Sequence, residues 1–275
     1  MKITEKICTK NQCYQVGKAL TSKGLMLHSV GCNQPSAEVF ATQFNDYQPG
    51  GRQICPHAVI DANNGNVIQL LPWTMRGWHG GSGAKGSVND THIGVEMGEA
   101  ACLNYPKNSA NFTCSKADLP TARKNCETAY NSAVELFAYL CKKFGFDPLA
   151  DGVIVSHCEG HKRGIASNHG DPEHLWRGLG MSYTMDGFRK DVAAAMGNVT
   201  EDKPPAADGT FLVRILDPAL NIRAQPSLTA NINGVIRDKG VYTIVATSHG
   251  DGVLWGKLKS GAGWISLGSK YVKKL

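Results

Sequence analysis

Three side chains of metal-binding type stand at or just after predicted strand ends. Residues 152–156 are typical of a short buried strand, which leaves His157 at its end. The segment that follows is rich in Gly, His, Lys and Asn, so we predict a loop that folds back and brings Asp171 near His157. The apolar residues 25–27 lead in the same way to His28. Two imidazoles and one carboxylate leave a zinc ion one open position for water, which is typical of a hydrolytic site.

Strands and helices in the first 196 residues must hold these side chains in place. Apolar side chains spaced three and four apart predict a helix from about Leu119 to Phe144. Asp118 and Pro120 are typical of a helix start, and Gly145 of a helix end. Further elements are predicted as a helix at about 187–196 and short strands at about 25–30, 55–61, 66–71, 92–97 and 152–156. This alternation predicts an α/β fold with a mixed central sheet, flanking helices and a cleft along one sheet face.

The sequence changes character after residue 196. Residues 197–209 lack apolar periodicity and contain a pair of prolines, so we predict an interdomain linker. Residues 210–275 consist of short alternating runs separated by turn residues, as in a small all-β barrel. The predicted organisation is therefore a domain over 1–196, a linker over 197–209 and a small β domain over 210–275.

The net charge of +6 belongs entirely to the C-terminal quarter of the chain. Residues 210–275 hold nine Lys or Arg and three Asp, with no Glu, whereas residues 1–209 hold twenty residues of each sign. A basic segment beside a balanced one predicts an anionic partner for the C-terminal domain.

Composition and cysteine usage restrict the class of protein. Hydrophobic residues make up 42% of the chain, but no apolar run approaches the ~18 residues of a membrane span, and the start lacks the apolar core of a secretory signal. Nine cysteines, an odd number, favour reduced thiols in a cytosolic or anaerobic setting. Cys126 and Cys141 fall on the buried stripe of the long helix. Two pairs are candidates for a disulfide or a metal site: Cys8 with Cys13, and Cys102 with Cys114.

The residues that lead to the zinc hypothesis belong to a longer series of short motifs. Each motif alone is weak, but their order and spacing together are specific. They resemble the zinc-dependent N-acetylmuramoyl-L-alanine amidases whose fold is shared with peptidoglycan-recognition proteins, in particular the phage-endolysin branch. The series comprises the His28 strand end, residues 55–61, 65–72 and 77–81, Asn89, residues 92–96, and His157 through Asp171-Pro172.

A second resemblance concerns the C-terminal domain. Residues 220–226, followed by Gly263-Trp264-Ile265, resemble the bacterial SH3-like domains that tether wall hydrolases to peptidoglycan. The implied fold is a peptidoglycan-recognition-protein-like α/β domain followed by a small all-β SH3-like barrel. Peptidoglycan and anionic cell-wall polymers are the implied partners, and we expect neither nucleic acid binding nor membrane insertion.

The first resemblance implies hydrolysis of the amide bond between N-acetylmuramic acid and L-alanine in bacterial peptidoglycan. The implied nucleophile is zinc-activated water, with His28, His157 and Asp171 as the Zn²⁺ ligands. In the absence of a secretory signal, we expect synthesis in the cytoplasm and action on the wall after release by a holin or by lysis. This would suit an endolysin or a prophage lysin.

Two further residues take catalytic roles by the same resemblance. Glu96, in an otherwise apolar strand, matches the Glu that acts as general base on the attacking water. His169, two positions before Asp171, stands where the family commonly has a Lys that stabilises the oxyanion. The insert before the third ligand is longer than usual in the family. This leaves His161 as an alternative ligand and Lys162 as an alternative oxyanion donor.

The segment 77–81 is expected to form a wall of the substrate cleft. Trp78 lies in this wall, and His79 and Asn89 are predicted to hydrogen-bond to the muropeptide.

Two other functions stay open. The first is a non-catalytic peptidoglycan-binding protein, which the loss of a zinc ligand would indicate, although all three positions are filled here. The second is a Cys/His cell-wall peptidase with Cys158 as nucleophile. The adjacent His157 would point away from that thiol, which disfavours this mechanism.

Overall fold

A six-stranded mixed sheet forms the centre of the first of two structural units. The computed structural model describes residues 2–46, 54–107, 111–198, 211–251 and 253–275, and the chain divides into units Met1–Val199 and Thr200–Leu275. The strands of the first unit are β1 (Ile3–Glu5), β2 (Gly24–Ser29), β3 (Ala58–Ile60), β4 (Val67–Gln69), β5 (His92–Met97) and β6 (Ile154–Ser156). Their order across the sheet is β1-β4-β3-β5-β2-β6; β3 and β4 are antiparallel and the other neighbouring pairs are parallel.

Helices flank this sheet or connect its strands. Within the described residues they are α1 (Gln12–Val16), α2 (Ala37–Phe44), α3 (Leu119–Phe144), α4 (His157–Lys162), α5 (Glu173–Gly178) and α6 (Met185–Asn198). The long helix α3 has the predicted bounds and ends at Gly145, whose φ of 71° glycine adopts without steric cost. Helix α6 extends two residues into the predicted linker, whose remainder, 199–209, lies outside the described residues. In the described ranges, no helix is both long and apolar enough to span a membrane.

The alternation of side chains along β2 directs His28 away from α3. Leu25 and Leu27 pack in the main hydrophobic core together with α3. Met26 belongs instead to a separate cluster with Val88, because successive side chains of a strand point to opposite faces of the sheet. His28 shares the face of Met26.

Strand β5 presents a carboxylate on that same face. Ile93, Val95 and Met97 belong to the main core with α3, so Glu96 points to the opposite side of the sheet. β5 lies between β3 and β2 rather than at an edge, and the parallel register pairs His28 with Glu96. The face opposite α3 therefore carries an imidazole and a carboxylate on adjacent strands.

The second unit is an antiparallel sheet. Its strands are β7 (Phe211–Ile215), β8 (Leu220–Arg223), β9 (Ile232–Ile236), β10 (Val241–Gly250), β11 (Val253–Leu258), β12 (Trp264–Ser266) and β13 (Val272–Lys274), in the order β13-β7-β10-β11-β12-β8-β9. Its core is aliphatic and contains Val213, Ile215, Leu220, Ile236, Ile244, Leu258, Ile265 and Val272. This architecture agrees with the predicted small β domain, whereas its assignment as an SH3-like barrel stays a prediction.

Candidate metal and catalytic site

The three predicted ligands meet on the face of the sheet opposite α3. Nδ1 of His28 lies 3.1 Å from Nδ1 of His157 and 3.1 Å from Oδ2 of Asp171. One ligand atom from each residue lies within 4.8 Å of the other two, and all three residues are buried. Two imidazole nitrogens and a carboxylate oxygen fit zinc. Within the part of the chain that the structure describes, no second group of His, Cys, Asp or Glu converges in this way.

The segment after β6 differs from the predicted loop, because it begins with a helix. Ser156 caps α4: its Oγ accepts a hydrogen bond from the Glu159 N–H at 3.0 Å, while the Glu159 carboxylate accepts from the Ser156 N–H at 3.2 Å. This reciprocal capping box makes His157 the first residue of α4. The sequence signal for it is the Ser-x-x-Glu spacing of Ser156 and Glu159. The chain then returns, and the Asp171 carbonyl accepts from the Cys158 N–H at 3.2 Å.

A chain of hydrogen bonds determines which nitrogen of His28 faces the metal position. Nε2 of His79 lies 3.1 Å from the carbonyl oxygen of His92, which can only accept, so this Nε2 carries the hydrogen. Burial, and then the neighbouring His28, hold the pKa of His79 well below its usual range, so the ring is neutral and its Nδ1 accepts. Nε2 of His28 donates to that Nδ1 at 3.0 Å. The lone pair on Nδ1 of His28 is therefore left for a metal ion.

A second chain of hydrogen bonds orients His157. Oγ of Ser167 lies 3.3 Å from the carbonyl oxygen of Gly80, to which it donates. The hydroxyl oxygen is then an acceptor for the Nε2–H of His157, 3.1 Å away. His157, like His28, is left with its Nδ1 lone pair directed at the metal position.

Asn89 holds the segment 79–81, from which both series of hydrogen bonds start. Its side-chain oxygen accepts from the N–H groups of His79 and Gly80 at 2.8 and 3.0 Å, and its amide donates to the carbonyl of Gly81 at 3.1 Å. Asn89 and His79 are both buried, and all of these polar atoms bond within the protein. These bonds give the two residues a positioning role toward His28 and His157. Their predicted contact with the muropeptide stays a prediction.

Gly94 explains how the His79 ring comes so close to β5. A Cβ atom at position 94 would lie 2.3 Å from the imidazole, a distance that no real contact reaches. The hydrogen bond between His79 and His28 therefore requires that position 94 of β5 has no side chain.

The pKa values of the two carboxylates at the site, Asp171 and Glu96, are shifted in opposite directions. Burial disfavours ionisation of Asp171, but the adjacent imidazoles of His157 and His28 outweigh this and hold the pKa of Asp171 below its usual range. Burial raises the pKa of Glu96 well above its usual range, and the nearby charges of Asp171 and Glu99 raise it further. Asp171 is thus suited to bind a cation, and Glu96, whose affinity for a proton is raised, to accept a proton.

Glu96 has no hydrogen-bond partner for one of its oxygens. Its Oε2 is inaccessible to solvent and unpaired among the described residues. An unpaired buried carboxylate costs free energy, and such groups are concentrated at functional sites. The position of Glu96 beside His28 supports the general-base role implied by the sequence, which stays a prediction.

The remaining catalytic candidates differ in their positions. His169 is 61% exposed in its side chain, and its ring is stacked on that of His157 with centroids 4.5 Å apart. It therefore lies beside the ligand group and is accessible to a substrate. His161 and Lys162 are exposed on α4, and Nδ1 of His161 lies 3.4 Å from the carbonyl of Ala166. The structure brings His157, and not the alternative His161, to the ligand group.

Trp78 is the one predicted substrate contact that is open to solvent. Its exposed fraction is 45%, and the guanidinium of Arg76 lies 5.7 Å from the ring centroid. Its contact with substrate stays a prediction.

Two residues near the site escaped the sequence analysis. Ser167, which orients His157, has no signal in the sequence, because its partners come from distant segments. Glu99 is 1% exposed, accepts from the Gly31 N–H at 2.9 Å and from the Tyr105 hydroxyl, and has a pKa raised by burial to about 7. Glu99 carries the same sequence signal as Glu96, because it too is an acidic residue in an apolar run.

Comparison with known protein families gives one match. The sequence profile of a family described as N-acetylmuramoyl-L-alanine amidase matches residues 18–174. No curated protein matches the chain. The fold is similar to that of the catalytic domain of XlyA, with 19% identity, a TM-score of 0.48, and coverage of 70% of this chain and 99% of that one.

Two further solved structures give similar values. The Staphylococcus aureus hydrolase AmiA, solved in complex with its ligand, is 17% identical with a TM-score of 0.49 and covers 73% of this chain and 87% of its own. The catalytic domain of PlyG is 16% identical with a TM-score of 0.49, covering 75% and 100%. The profile match spans more than half of the chain and contains every residue of the buried His-His-Asp group. The chain therefore belongs to the N-acetylmuramoyl-L-alanine amidase family.

Proposed function

We propose that this protein is a zinc-dependent peptidoglycan hydrolase that cleaves the amide bond between N-acetylmuramic acid and L-alanine. The observation that carries the proposal is the convergence of His28, His157 and Asp171 beside the unpaired carboxylate of Glu96. A metal-binding group next to a proton acceptor is the arrangement that amide hydrolysis by water requires.

The residues present fit zinc in type and in orientation. His28 and His157 direct Nδ1 lone pairs at the metal position, and the ionised Asp171 offers a carboxylate oxygen. Zinc held by these residues would polarise the scissile carbonyl and lower the pKa of water. His79 and Ser167 keep the two imidazoles oriented by hydrogen bonds to their outer nitrogens.

Glu96 would transfer the proton, and His169 would stabilise the negative charge that develops on the carbonyl oxygen. Oε2 of Glu96 takes a proton from the attacking water and returns it to the amine of L-alanine as the C–N bond breaks. His169, whose pKa is lowered by burial and by His157, retains one N–H that donates to the oxyanion. Lys162, at the end of α4, is the alternative donor.

Digestion of purified peptidoglycan tests the bond cut and the need for zinc. Mass spectrometry of the products should show free L-alanine amines on intact glycan strands. A strong chelator should stop the reaction and added zinc should restore it. Cleavage within the stem peptide, or activity that survives complete removal of metal, would contradict the proposal.

Variants separate catalysis from metal retention. Glu96→Gln should retain one zinc per chain and lose on the order of 10²-fold or more in rate. Glu38→Gln, which removes a carboxylate from a surface pair with Lys6, is the matched control and should keep full activity. Cys158→Ser should also stay active, and its inactivation with zinc still bound would favour a thiol peptidase.

We further propose that the C-terminal unit binds anionic polymers of the cell wall and that the protein acts as a lysin after release from the cytoplasm. The charge of +6 over residues 210–275 supports an anionic partner. A groove of about 620 Å³ in this unit, bordered by Leu228, Leu254 and Tyr271, offers space for specific recognition in addition.

A further inference from the structure

Two chain segments pair at Asn104 and Thr113, and a cysteine lies beside each of them. Asn104 and Thr113 exchange two backbone hydrogen bonds of 2.9 Å, so the two segments run antiparallel at this point. Cys102 precedes the first segment and Cys114 follows the second. Backbone pairing between them holds the two cysteines at the same end of the paired region.

The two thiols lie close to each other. After burial, Cys102 is the main group that raises the pKa of Cys114, and each thiol donates to a nearby carbonyl, that of Asp118 for Cys102 at 3.9 Å and that of Ser115 for Cys114 at 3.6 Å. Both residues are partly exposed. The pair therefore combines the proximity that a disulfide needs with access for a dissolved reagent.

A second thiol pair differs in access. Cys8 and Cys55 also lie close together and shift each other's pKa, but both are 0% exposed and lie in a hydrophobic cluster with Phe40 and Leu70. The candidate pairing of Cys8 with Cys13 stays a prediction. This buried pair provides an internal comparison for the exposed one.

The segments joined by the exposed pair support the candidate active site. The Tyr105 hydroxyl donates to the buried Glu99 carboxylate and lies 3.3 Å from Nε2 of His174. Phe112 packs against the ring of His174. The Phe112 ring also lies so close to Gly178 that a Cβ atom at position 178 would be 2.6 Å from Cζ of Phe112. Tyr105 and Phe112 thus fasten the two paired segments to α5, where His174 lies three residues after Asp171.

We propose that Cys102 and Cys114 form a disulfide when the protein meets a low-molecular-weight disulfide such as oxidised glutathione, and that this bond fastens the 102–114 segment beside the active site. The inference concerns a covalent modification and does not depend on the reaction that the enzyme catalyses. It also differs from the reduced state that the odd cysteine count favours, because it applies after the protein leaves a reducing compartment.

The chemistry is two successive thiol–disulfide exchanges. One cysteine thiolate attacks a sulfur of oxidised glutathione, forms a mixed disulfide and releases one glutathione thiolate. The second cysteine, as thiolate, then attacks the protein sulfur of the mixed disulfide and releases the second glutathione. Two protein thiols are oxidised, one glutathione disulfide is reduced to two thiols, and two protons leave the cysteines. Since burial and Cys102 raise the pKa of Cys114, the reaction should accelerate with rising pH.

Mass spectrometry of the full-length protein tests the assignment. After incubation with oxidised glutathione and blocking of remaining thiols, a peptide linking Cys102 to Cys114 should appear, two hydrogens lighter than its reduced parts. Cys8 and Cys55 should remain thiols that react only after unfolding. Stable glutathione adducts at Cys102 or Cys114 without ring closure, or earlier oxidation of Cys8 and Cys55, would overturn the proposal.

Thermal unfolding tests the structural consequence. Oxidation should raise the Tm of the wild type by about 5 °C, as expected for closure of a ring of about 13 residues. The Cys102→Ser/Cys114→Ser double variant should match the reduced wild type and show no shift on oxidation. The Cys8→Ser single variant, which leaves the exposed pair intact, should keep the shift. Equal shifts in wild type and double variant would place the effect elsewhere and contradict the proposal.

Discussion

At the scale of single residues, the hydrogen bond from His28 to His79 leads to a test of metal affinity. Replacing His79 with Phe removes the acceptor that fixes the His28 tautomer, and loss of such outer partners typically weakens metal binding 10–100-fold. Zinc titration against a chromophoric chelator measures this. His161→Phe, a change at an exposed imidazole outside the ligand group, should leave the affinity unchanged. Equal affinities for the two variants would remove His79 from the supporting network.

His57 leads to a prediction about stability in acid. Its Nε2 bonds to the Met75 carbonyl and its Nδ1 accepts from the Gly94 N–H, and burial lowers its pKa to about 4. The unfolded chain binds a proton at His57 below pH ~6.5, whereas the folded protein does so only near pH 4. Folding is therefore fully favoured above pH 6.5 and loses about 3 kcal/mol from this residue as the pH falls to 4.

Urea unfolding of wild type and His57→Gln at several pH values measures this loss. The variant has no titrating ring, so its stability should fall less steeply between pH 6.5 and 4. Groups common to both proteins cancel in the difference. Parallel pH profiles for the two proteins would exclude His57 as the cause.

The sequence was sufficient to predict the three candidate metal ligands, but it was not sufficient to predict the residues that orient them. His28, His157 and Asp171 could be predicted because strand ends in a parallel sheet meet at one edge, and strands are visible as short apolar runs. The roles of His79, Asn89 and Ser167 depend on hydrogen bonds between segments far apart in the chain, which no local pattern encodes. The sequence predicts only a substrate contact for His79 and Asn89, and this positioning role could not be read from it.

At the scale of elements, the capping box of α4 joins stability to the metal site. Oγ of Ser156 accepts from the Glu159 N–H and donates to Glu173 at 2.8 Å, so Ser156→Ala should cost about 1–2 kcal/mol in free energy of unfolding. Because α4 begins with His157, zinc affinity should fall as well. Ser36→Ala is the matched control, since Ser36 stands at the N-cap of α2 without a side-chain capping bond. A similar loss in both variants would mean that the cap is not the cause.

Element length explains which parts of the fold could be predicted. Helix α3 has 26 residues, long enough for its buried stripe to repeat several times, and its predicted bounds are confirmed. Helices α1, α2, α4 and α5 have at most eight residues, so no periodic stripe develops, and none of them was predicted. Strand β1 was also missed, because its three residues are held by pairing with β4, more than 60 positions later.

At the scale of the whole molecule, the charge asymmetry predicts salt-dependent wall binding. Attraction between exposed charges is screened beyond ~8 Å at physiological salt, so full-length protein bound to purified walls should be released as salt rises. A triple variant with the exposed Lys239, Lys259 and Lys273 changed to Gln lowers the charge of this segment from +6 to +3 and should be released at lower salt. Wall pelleting over a salt series measures this.

A matched triple variant in the first unit controls for net charge. Lys10, Lys107 and Lys116 are also exposed, and their change to Gln should leave the release profile unchanged if binding depends on the second unit. Equal effects of the two variants would point to general attraction by net charge. Salt-independent binding in all proteins would favour recognition in the groove near Leu254.

Asn89 connects the hydrogen bonds that orient His28 and His157, two residues that are 129 positions apart in the chain. Its oxygen holds the N–H of His79, which orients His28, and the N–H of Gly80, whose carbonyl binds the Ser167 that orients His157. Substitutions on the two sides of this amide should therefore not add independently. In a double-mutant cycle, His79→Phe should therefore weaken metal binding less in the Asn89→Ala background than in the wild type. The selectivity of this site for metal ions would thus change through a residue that contacts neither metal nor substrate.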